Sequence, residues 1–149
     1  MIRKIYNTFL SSDKKLASYI RSITGIAPSN LKLYKQVFQH RSKFIEPKDN
    51  NERLELLGDA ILDAIVCEFL FKKYPYKEEG FMTELRSKIV NRKSLNEVGT
   101  KLGLVEKLSF NRKSMNDVSK DLAGNTFEAL VGAVYLDAGF DETKRFILK

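Results

Sequence analysis

Cysteine and histidine are nearly missing from this chain of 149 residues, which has one of each, Cys67 and His40. A lone cysteine cannot form an internal disulfide, so we expect a reducing compartment and a cytoplasmic protein. Because Cys67 lies in an apolar run, we expect it to be a small buried residue rather than a nucleophile. The lack of a Cys/His ligand set argues against zinc. We favour a structural hydrogen-bonding role for His40 over a catalytic one.

Long apolar segments are also missing. No run approaches the length of a membrane span, and Asn7 and Thr8 interrupt the apolar start of the chain, so neither a membrane helix nor a signal peptide is predicted. The sequence has no period-two alternation and no internal repeat, so the predicted fold class is all-α. Its length fits one domain over residues 1–149.

The net charge of +7 is distributed unevenly. Residues 1–50 contain ten basic and three acidic residues, residues 51–90 contain six and eight, and residues 91–149 contain ten and eight. An acidic middle between basic flanks suits a polyanion whose backbone is brought to a metal ion. This juxtaposition is stronger evidence than a basic composition alone.

Residues 50–74 predict one long helix that sets acidic residues into an apolar run. Glu52, Glu55 and Asp59 are spaced i, i+3 and i+7, so they project from one side of the helix, and Asp63 continues the stripe. No lysine lies four residues after any of the first three. Carboxylates aligned on a buried helix repel one another unless a cation lies between them, so the pattern favours a metal site over a solvated face.

A second apolar helix is predicted from about residue 119 to residue 136, with Asp121 on the same face as the oxygen-bearing residues that follow it. If the two helices pack side by side, four side chains can converge: those of Glu55, Asp59, Asn125 and Glu128. All four offer oxygen, the ligand atom that Mg²⁺ and Mn²⁺ prefer. An oxygen-lined metal site on a basic protein indicates phosphodiester hydrolysis by an activated water.

Weaker helical patterns occupy much of the remaining chain, and residues 104–118 predict an exposed loop. The predicted N-caps are Ser11 or Ser12 for the first helix, Ser94 in a Ser-x-x-Glu capping box, and Asp141 for the last helix. The residues predicted to face inward from the helix after residue 78 are Phe81, Met82, Leu85 and Ile89.

Four motifs resemble those of the ribonuclease III family. The stretch Asn51-Glu52-Arg53-Leu54-Glu55-Leu56-Leu57-Gly58-Asp59 resembles its signature, and its other landmarks are matched in order by Gln39-His40-Arg41-Ser42, Glu79-Gly80 and Thr126-Phe127-Glu128-Ala129-Leu130-Val131-Gly132. The resemblance covers nearly the whole chain as an endonuclease domain. It implies an all-α bundle whose two buried central helices carry an acidic metal site.

The resemblance also implies an activity and its partners. The family cleaves double-stranded RNA with Mg²⁺, for which Mn²⁺ can substitute, and leaves 5′-phosphate and 3′-hydroxyl ends with short 3′ overhangs. It implies a homodimer, no small-molecule cofactor, and a role in RNA processing such as ribosomal RNA maturation. By motif position, catalytic and metal-binding roles are implied for Glu55, Asp59 and Glu128, and accessory acidic roles for Glu52 and Glu79.

Three features depart from the family pattern. Asn125 replaces the usual aspartate; its amide oxygen is expected to bind Mg²⁺ more weakly, and Asp121 either restores the charge or, as we favour, acts as an N-cap. Leu56 replaces the aromatic residue of the dimer interface, and we still expect a dimer. The double-stranded-RNA-binding domain that usually follows is absent from this chain, which leaves duplex affinity to phosphate and 2′-hydroxyl contacts.

Two alternatives to the nuclease are open. An RNA-binding or ribosome-associated member of the same fold, weakened or inactive in catalysis, is suggested by Asn125. A helical interaction module without an RNA role would leave the acidic stripes unexplained. The retention of Glu55, Asp59 and Glu128 together favours the enzyme, because a pure binder has no need of three acids on buried helices.

Overall fold

The computed structural model describes the backbone of residues 2–114 and 121–149 and the side chains of residues 11–113 and 121–149. These residues form α1 (Ile2–Thr24), α2 (Leu31–Val37), α3 (Glu52–Lys73), α4 (Glu79–Ile89), α5 (Arg92–Lys101), α6 (Leu122–Ala138) and α7 (Phe140–Ile147). Two 3₁₀ turns, Val105–Lys107 and Arg112–Ser114, lie between α5 and α6. In the described ranges no strand forms beyond a single bridge between Gln39 and Ser109, so the all-α prediction is confirmed.

Helix α6 is the centre of the bundle and contacts α2, α3, α5 and α7. Because it is apolar around most of its circumference, nearly every residue from Leu122 to Val134 is buried. Helix α3 packs along α6 and buries Leu54, Leu62 and Leu70. Although both helices are rich in apolar residues, no helix in the described part of the chain is long and apolar enough to cross a membrane.

The side of α3 that faces away from α6 is apolar and uncovered. This apolar face of α3 consists of Leu56, Ala60, Ala64, Cys67 and Phe71, spaced three or four residues apart. Leu56 is 74% exposed and Phe71 is 69% exposed. The prediction that Cys67 is buried is wrong: its side chain is exposed and borders an open cavity between α3 and α4.

Two predicted N-caps lie inside helices. Helix α1 begins at Ile2 and continues through Ser11 and Ser12, both of which are exposed. In α5 the cap is Asn91, whose side-chain oxygen accepts a hydrogen bond from the backbone N–H of Ser94 at 2.9 Å. The capping residue is therefore three positions earlier than the Ser-x-x-Glu pattern predicts.

Two more predictions from local pattern are wrong. Gly139, with φ of 84°, ends α6 and also precedes α7 directly, so Asp141 lies in the first turn of α7 instead of capping it. Ile89, expected to face inward, is 42% exposed at the end of α4. The predicted loop is described up to residue 114 and contains both 3₁₀ turns; residues 115–120 lie outside the described ranges, as does the predicted start of α6 near residue 119.

Asp137, near the end of α6, holds the start of α2. Its carboxylate accepts hydrogen bonds from the backbone N–H groups of Ser29 at 2.9 Å and Asn30 at 2.7 Å, and from the hydroxyl of Tyr34 at 2.9 Å. Burial and the neighbouring carboxylate raise the pKa of Tyr34. The first turn of α2 is thereby tied to the central helix.

Candidate active site

Helices α3 and α6 touch backbone to backbone where they cross. A Cβ atom added to Gly58 would lie 1.7 Å from the carbonyl oxygen of Glu128, and one added to Gly132 would lie 2.3 Å from the carbonyl oxygen of Leu54. Since there is no room for a side chain at either position, the residues that flank the two glycines are drawn together. The helix crossing therefore sets Glu128 of α6 beside the first half of α3.

The carboxylates near the crossing repel one another. Burial, followed by the charges of Asp59 and Glu55, raises the pKa of Glu128 to about 7, and Arg92 opposes the shift. Burial raises the pKa of Glu55 as well, with further increases from Glu52 and Asp59 and a decrease from Arg41. These mutual effects require the acids of α3 and Glu128 to be near neighbours.

Glu55 faces a polar cavity of about 230 Å³. We call it the acidic cavity; it is lined by His40, Arg41, Asn51, Glu52, Glu55, Leu122, Asn125 and Thr126. Asn125 therefore faces the same space as Glu55, whereas Asp59 and Glu128 do not line this cavity. Asp59 is exposed and Glu128 is half-buried.

The side chains of Glu55, Asp59, Asn125 and Glu128 offer the ligand atoms that a divalent cation prefers. Their ligand atoms are oxygens, and burial together with neighbouring carboxylates raises the pKa values of Glu55 and Glu128, which a bound cation would offset. Among the described residues, no three His, Cys, Asp or Glu side chains are gathered closely enough to form a metal-binding group. The acids are thus neighbours without forming a closed coordination shell.

Buried asparagines fix the first turn of α3. The side chain of Asn51 donates to the carbonyl of Val37 at 3.1 Å, and its backbone N–H donates to the carbonyl of Gln39 at 2.9 Å. Asn50 donates to the carbonyl of Phe44 at 3.1 Å. Because the next residues of the chain begin α3, these bonds position the helix turn that carries the first two acids of the site.

His40 is held in the turn before this helix. Its Nδ1 lies 2.8 Å from the Ser42 hydroxyl and accepts the Ser42 backbone N–H at 3.2 Å. Burial and the nearby Arg41 lower the pKa of His40, and Glu52 opposes them. The ring lines the acidic cavity, but its Nδ1 is used by the turn, in agreement with the structural role predicted for it.

The two proposed accessory acids, Glu52 and Glu79, each accept a hydrogen bond from another side chain. Glu52 pairs with Arg41 at 2.9 Å at the rim of the acidic cavity. Glu79 accepts the hydroxyl of Thr83 at 2.7 Å and lines a different cavity, of about 460 Å³, beside Phe71. Within one chain, the structure does not bring Glu79 together with the acids of the crossing.

The carboxylate of Asp121 is engaged by other side chains and is not free to bind a metal ion. Its carboxylate accepts Arg92 at 2.7 Å and the side-chain amide of Asn96 at 3.2 Å. It stands at the N-cap position of α6 without making a capping hydrogen bond, so the capping interaction that the sequence favoured is not formed. Its charge is already balanced by Arg92, which leaves Asn125 as the residue of this face that lines the acidic cavity.

The sequence of residues 30–149 matches the family described as Ribonuclease-III-like. The chain belongs to the ribonuclease III family. It is 40% identical to Ribonuclease 3 of Azobacteroides pseudotrichonymphae over 100% of this chain and 59% of that protein. It is 43% identical to Ribonuclease 3 of Bacteroides thetaiotaomicron over 84% of this chain and 41% of that protein. The chain thus spans about half the length of these curated ribonuclease III relatives.

A solved structure agrees with this assignment. The nuclease domain of ribonuclease III from Campylobacter jejuni, described with structural flexibility in a region involved in dimer formation, resembles this chain with a TM-score of 0.78. The two are 32% identical, and the match covers 87% of this chain and 92% of the other. The resemblance inferred from the motifs and the fold it implied are both confirmed.

The roles of several residues of this candidate site were not predicted from the sequence. Arg41 and Arg92 modulate the acids across long sequence separations, and no local pattern reveals such partners. Gly58 and Gly132 did leave a signal: glycine inside a helix costs about 1 kcal/mol relative to alanine, so two of them in buried helices indicate a packing requirement.

Proposed function

We propose that this chain is the endonuclease domain of an enzyme that hydrolyses double-stranded RNA. The products are 5′-phosphate and 3′-hydroxyl ends with short 3′ overhangs. The observation that carries the proposal is the half-buried carboxylate of Glu128. The close approach of α3 and α6 at Gly58 brings it near enough to Glu55 and Asp59 for their charges to raise its pKa. The setting is the cytoplasm, in RNA processing such as ribosomal RNA maturation.

Mg²⁺ is the proposed cofactor, with Mn²⁺ able to substitute, and Glu55, Asp59, Asn125 and Glu128 are the residues that would hold it. When bound, the cation supplies an activated water and stabilisation of the leaving oxygen. The protein contributes a fixed first turn of α3 and a set of carboxylates whose repulsion a cation relieves. Glu52 and Glu79 are accessory acids in this proposal.

The direct test incubates an end-labelled RNA duplex with the protein, with Mg²⁺ and with a chelator, beside the matching single strand. We expect cleavage of the duplex alone, and only with the metal, with products that a 5′-phosphate-dependent exonuclease degrades. Equal cleavage of the single strand, or cleavage in the chelator, would contradict the proposal.

Asn125→Asp should lower the Mg²⁺ concentration needed for half-maximal cleavage by about tenfold, because it adds a negative charge to the acidic cavity. The measurement is the initial rate of duplex cleavage over a Mg²⁺ titration. Asp121→Asn is the matched control, since that carboxylate is engaged by Arg92, and it should leave the requirement unchanged. An unchanged requirement in the Asn125 variant would remove it from the ligand set.

The same variant tests a second candidate function, an RNA-binding or ribosome-associated protein with weakened or no catalysis. It is favoured by one observation, that an amide lines the acidic cavity where the family usually has an acid. A wild-type chain that binds duplex without cutting it, and that gains cleavage through Asn125→Asp, would support this alternative.

Homodimerisation through the apolar face of α3, with Leu56 as an interface residue, is also proposed. A face with two large side chains about 70% exposed is costly in water, and a second copy of the same face would cover it. Leu56→Lys should raise the dimer dissociation constant by about thirtyfold or more, because it replaces a large apolar contact by a charge. Sedimentation equilibrium measures the constant.

Ile45→Lys is the control for this change, because Ile45 is 85% exposed and lies on the loop before α3, away from the apolar face. It should leave the dissociation constant unchanged. A Leu56 variant that associates as tightly as the wild type would place the interface elsewhere.

A further inference from the structure

A second cavity has a mixed polar and apolar lining and includes Gln39, the residue before His40 of the acidic cavity. It has a volume of about 410 Å³ and lies between α1, the end of α2 and the two connecting segments of residues 38–51 and 102–114. We call it the lysine–aromatic cavity. It is lined by Ser12, Lys15, Leu16, Tyr19, Lys35, Phe38, Gln39, Phe44, Lys107 and Ser109. Its volume is within the range of sites that take a small molecule or one nucleotide.

The lining of this cavity is positively charged. Three lysines face it and no acidic residue does. Lys35 is paired with Asp13 at 2.7 Å, but neither Lys15 nor Lys107 pairs with a carboxylate of the described residues. Lys43 stands at the rim, where its ammonium donates to the hydroxyl of Ser109 at 3.0 Å. The cavity is therefore suited to an anion.

Aromatic rings form the other part of the lining. Phe38 is buried, and Tyr19 is anchored by a hydrogen bond from its hydroxyl to the carbonyl of Leu102 at 2.8 Å. The ring of Phe44 is half-buried, and its backbone is held by His40 at 3.0 Å. Phe38 is too buried to stack on a ligand. The Tyr19 ring and the backbone of Phe44 are held in place, so little conformational entropy is lost when a planar group stacks on Tyr19 or Phe44.

Cations already lie over two of the rings. The ammonium of Lys107 is 5.1 Å from the centroid of Tyr19, and that of Lys43 is 5.9 Å from the centroid of Phe44. Lysine beside aromatic rings is the combination that binds single-stranded nucleic acid, since phosphate meets the ammonium and a base stacks on the ring.

The two cavities are lined by consecutive residues of the chain. Gln39 lines the lysine–aromatic cavity and the next residue, His40, lines the acidic cavity. The carbonyl of Gln39 also receives the backbone N–H of Asn51, the residue before α3. A strand of RNA that passes the acidic cavity can therefore reach the lysines with little additional length.

We propose that the lysine–aromatic cavity binds an unpaired ribonucleotide of an RNA whose paired part lies at the acidic cavity. The proposal rests on the proposed function for the paired part. Bases within a duplex are stacked on each other and cannot stack on Phe44, so the occupant is a nucleotide outside the helix. An acidic peptide would satisfy the lysines alone and leave the rings uncovered.

The test compares a blunt RNA duplex with two otherwise identical duplexes that have a short unpaired extension at one end, one on the 5′ side and one on the 3′ side. Fluorescence anisotropy in a chelator measures binding without cleavage. One of the extended duplexes should bind the wild-type chain about tenfold more tightly than the blunt duplex, as stacking of one base provides. Equal affinities for blunt and both extended duplexes would overturn the proposal.

Lys107→Gln and Phe44→Leu should each reduce this preference to about twofold or less, because one removes the charge and the other the ring. Lys77→Gln is the matched control: its ammonium lies 5.2 Å from the ring of Phe81, outside the cavity, and the preference should persist. A loss of preference in the control, or its retention in both cavity variants, would place the extension elsewhere. Competition by polyglutamate but not by oligouridylate would assign the cavity to an acidic protein.

Cleavage of the blunt duplex is measured on Lys107→Gln and should proceed at the wild-type rate, since Lys107 does not line the acidic cavity. This readout separates the two proposals. Absence of blunt-duplex cleavage in the wild type counts against the nuclease assignment, whereas the preference for an extension is measured in a chelator and does not depend on catalysis.

Discussion

Glu128→Gln should reduce the rate of duplex cleavage by about a thousandfold or more and leave RNA binding within about twofold of the wild type. The side chain keeps its shape but loses the charge that draws a cation to the crossing of α3 and α6. Because Glu128 is half-buried beside Asp59 and Glu55, no solvent-exposed acid can replace it. Single-turnover cleavage of a labelled duplex measures the rate, and anisotropy in a chelator measures binding.

The same substitution should make the metal-free protein more stable. The pKa of Glu128 rises from its ordinary value of 4.5 to about 7 on folding, so the folded state binds more protons than the unfolded state between these pH values. Stability of the wild type therefore falls as pH rises through this window. Since Glu128 is partly exposed, solvent screening limits the effect to about 1 kcal/mol, or about 3 °C in melting temperature.

Thermal melts in a chelator at pH 5 and pH 8 check this expectation, and the Gln variant should lose less stability than the wild type between them. Glu97→Gln, at an exposed position on α5, is the control and should behave as the wild type in both assays. Cleavage by the Glu128 variant within about tenfold of the wild-type rate would remove this residue from the site.

Gly58→Ala should destabilise the fold by about 3 kcal/mol or more, an effect at the upper end of those caused by overpacking a core. The new methyl carbon would lie 1.7 Å from the carbonyl oxygen of Glu128, and this neighbour is backbone that cannot rotate away. The helices must separate, which also moves Glu128 away from the acids of α3. Urea unfolding measures the loss, and we expect duplex cleavage to fall with it.

Gly80→Ala is the matched control. Gly80 lies in the first turn of α4, and a Cβ atom added there would have no neighbour within 4 Å. Replacing glycine by alanine in an uncrowded helix should stabilise the protein by about 0.5 to 1 kcal/mol. If Gly58→Ala unfolded at the same urea concentration as the wild type, the two helix backbones would not be in contact.

The strongest features of the fold were predictable from local sequence. Helix α3 was predicted over residues 50–74 and runs from Glu52 to Lys73, because its apolar residues are dense and a proline follows directly. Helix α6 was recognised for the same reason. Their pairing was only a condition of the predicted metal site, and the structure shows that the two helices pack against each other.

Helix boundaries were harder to predict, because capping depends on backbone geometry that several residues can satisfy. Ser94 and Asn91 are both suitable caps, and the asparagine begins α5 since its side chain reaches the Ser94 N–H. Exposed serines such as Ser11 and Ser12 are tolerated within a helix, so their presence did not mark the start of α1.

Contacts between distant segments could not be predicted at all. The engagement of Asp121 by Arg92 joins residues 29 positions apart and decides whether a carboxylate is available to a metal. The exposure of Cys67 and Ile89 likewise depends on which side of each helix its neighbours leave open. Periodicity identifies an apolar face, but it does not tell which apolar faces are covered within one chain.

The hydrogen bonds of Asp137 give α6 a role at both of its ends. Its first turns carry Asn125 and Glu128, while its last turn holds α2 through Ser29, Asn30 and Tyr34. The segment after α2 lines both cavities. Helix α6 therefore helps to position this segment through α2, and it also positions the candidate ligands Asn125 and Glu128. A substitution at the end of α6 could therefore shift the candidate site without changing any residue that lines the acidic cavity.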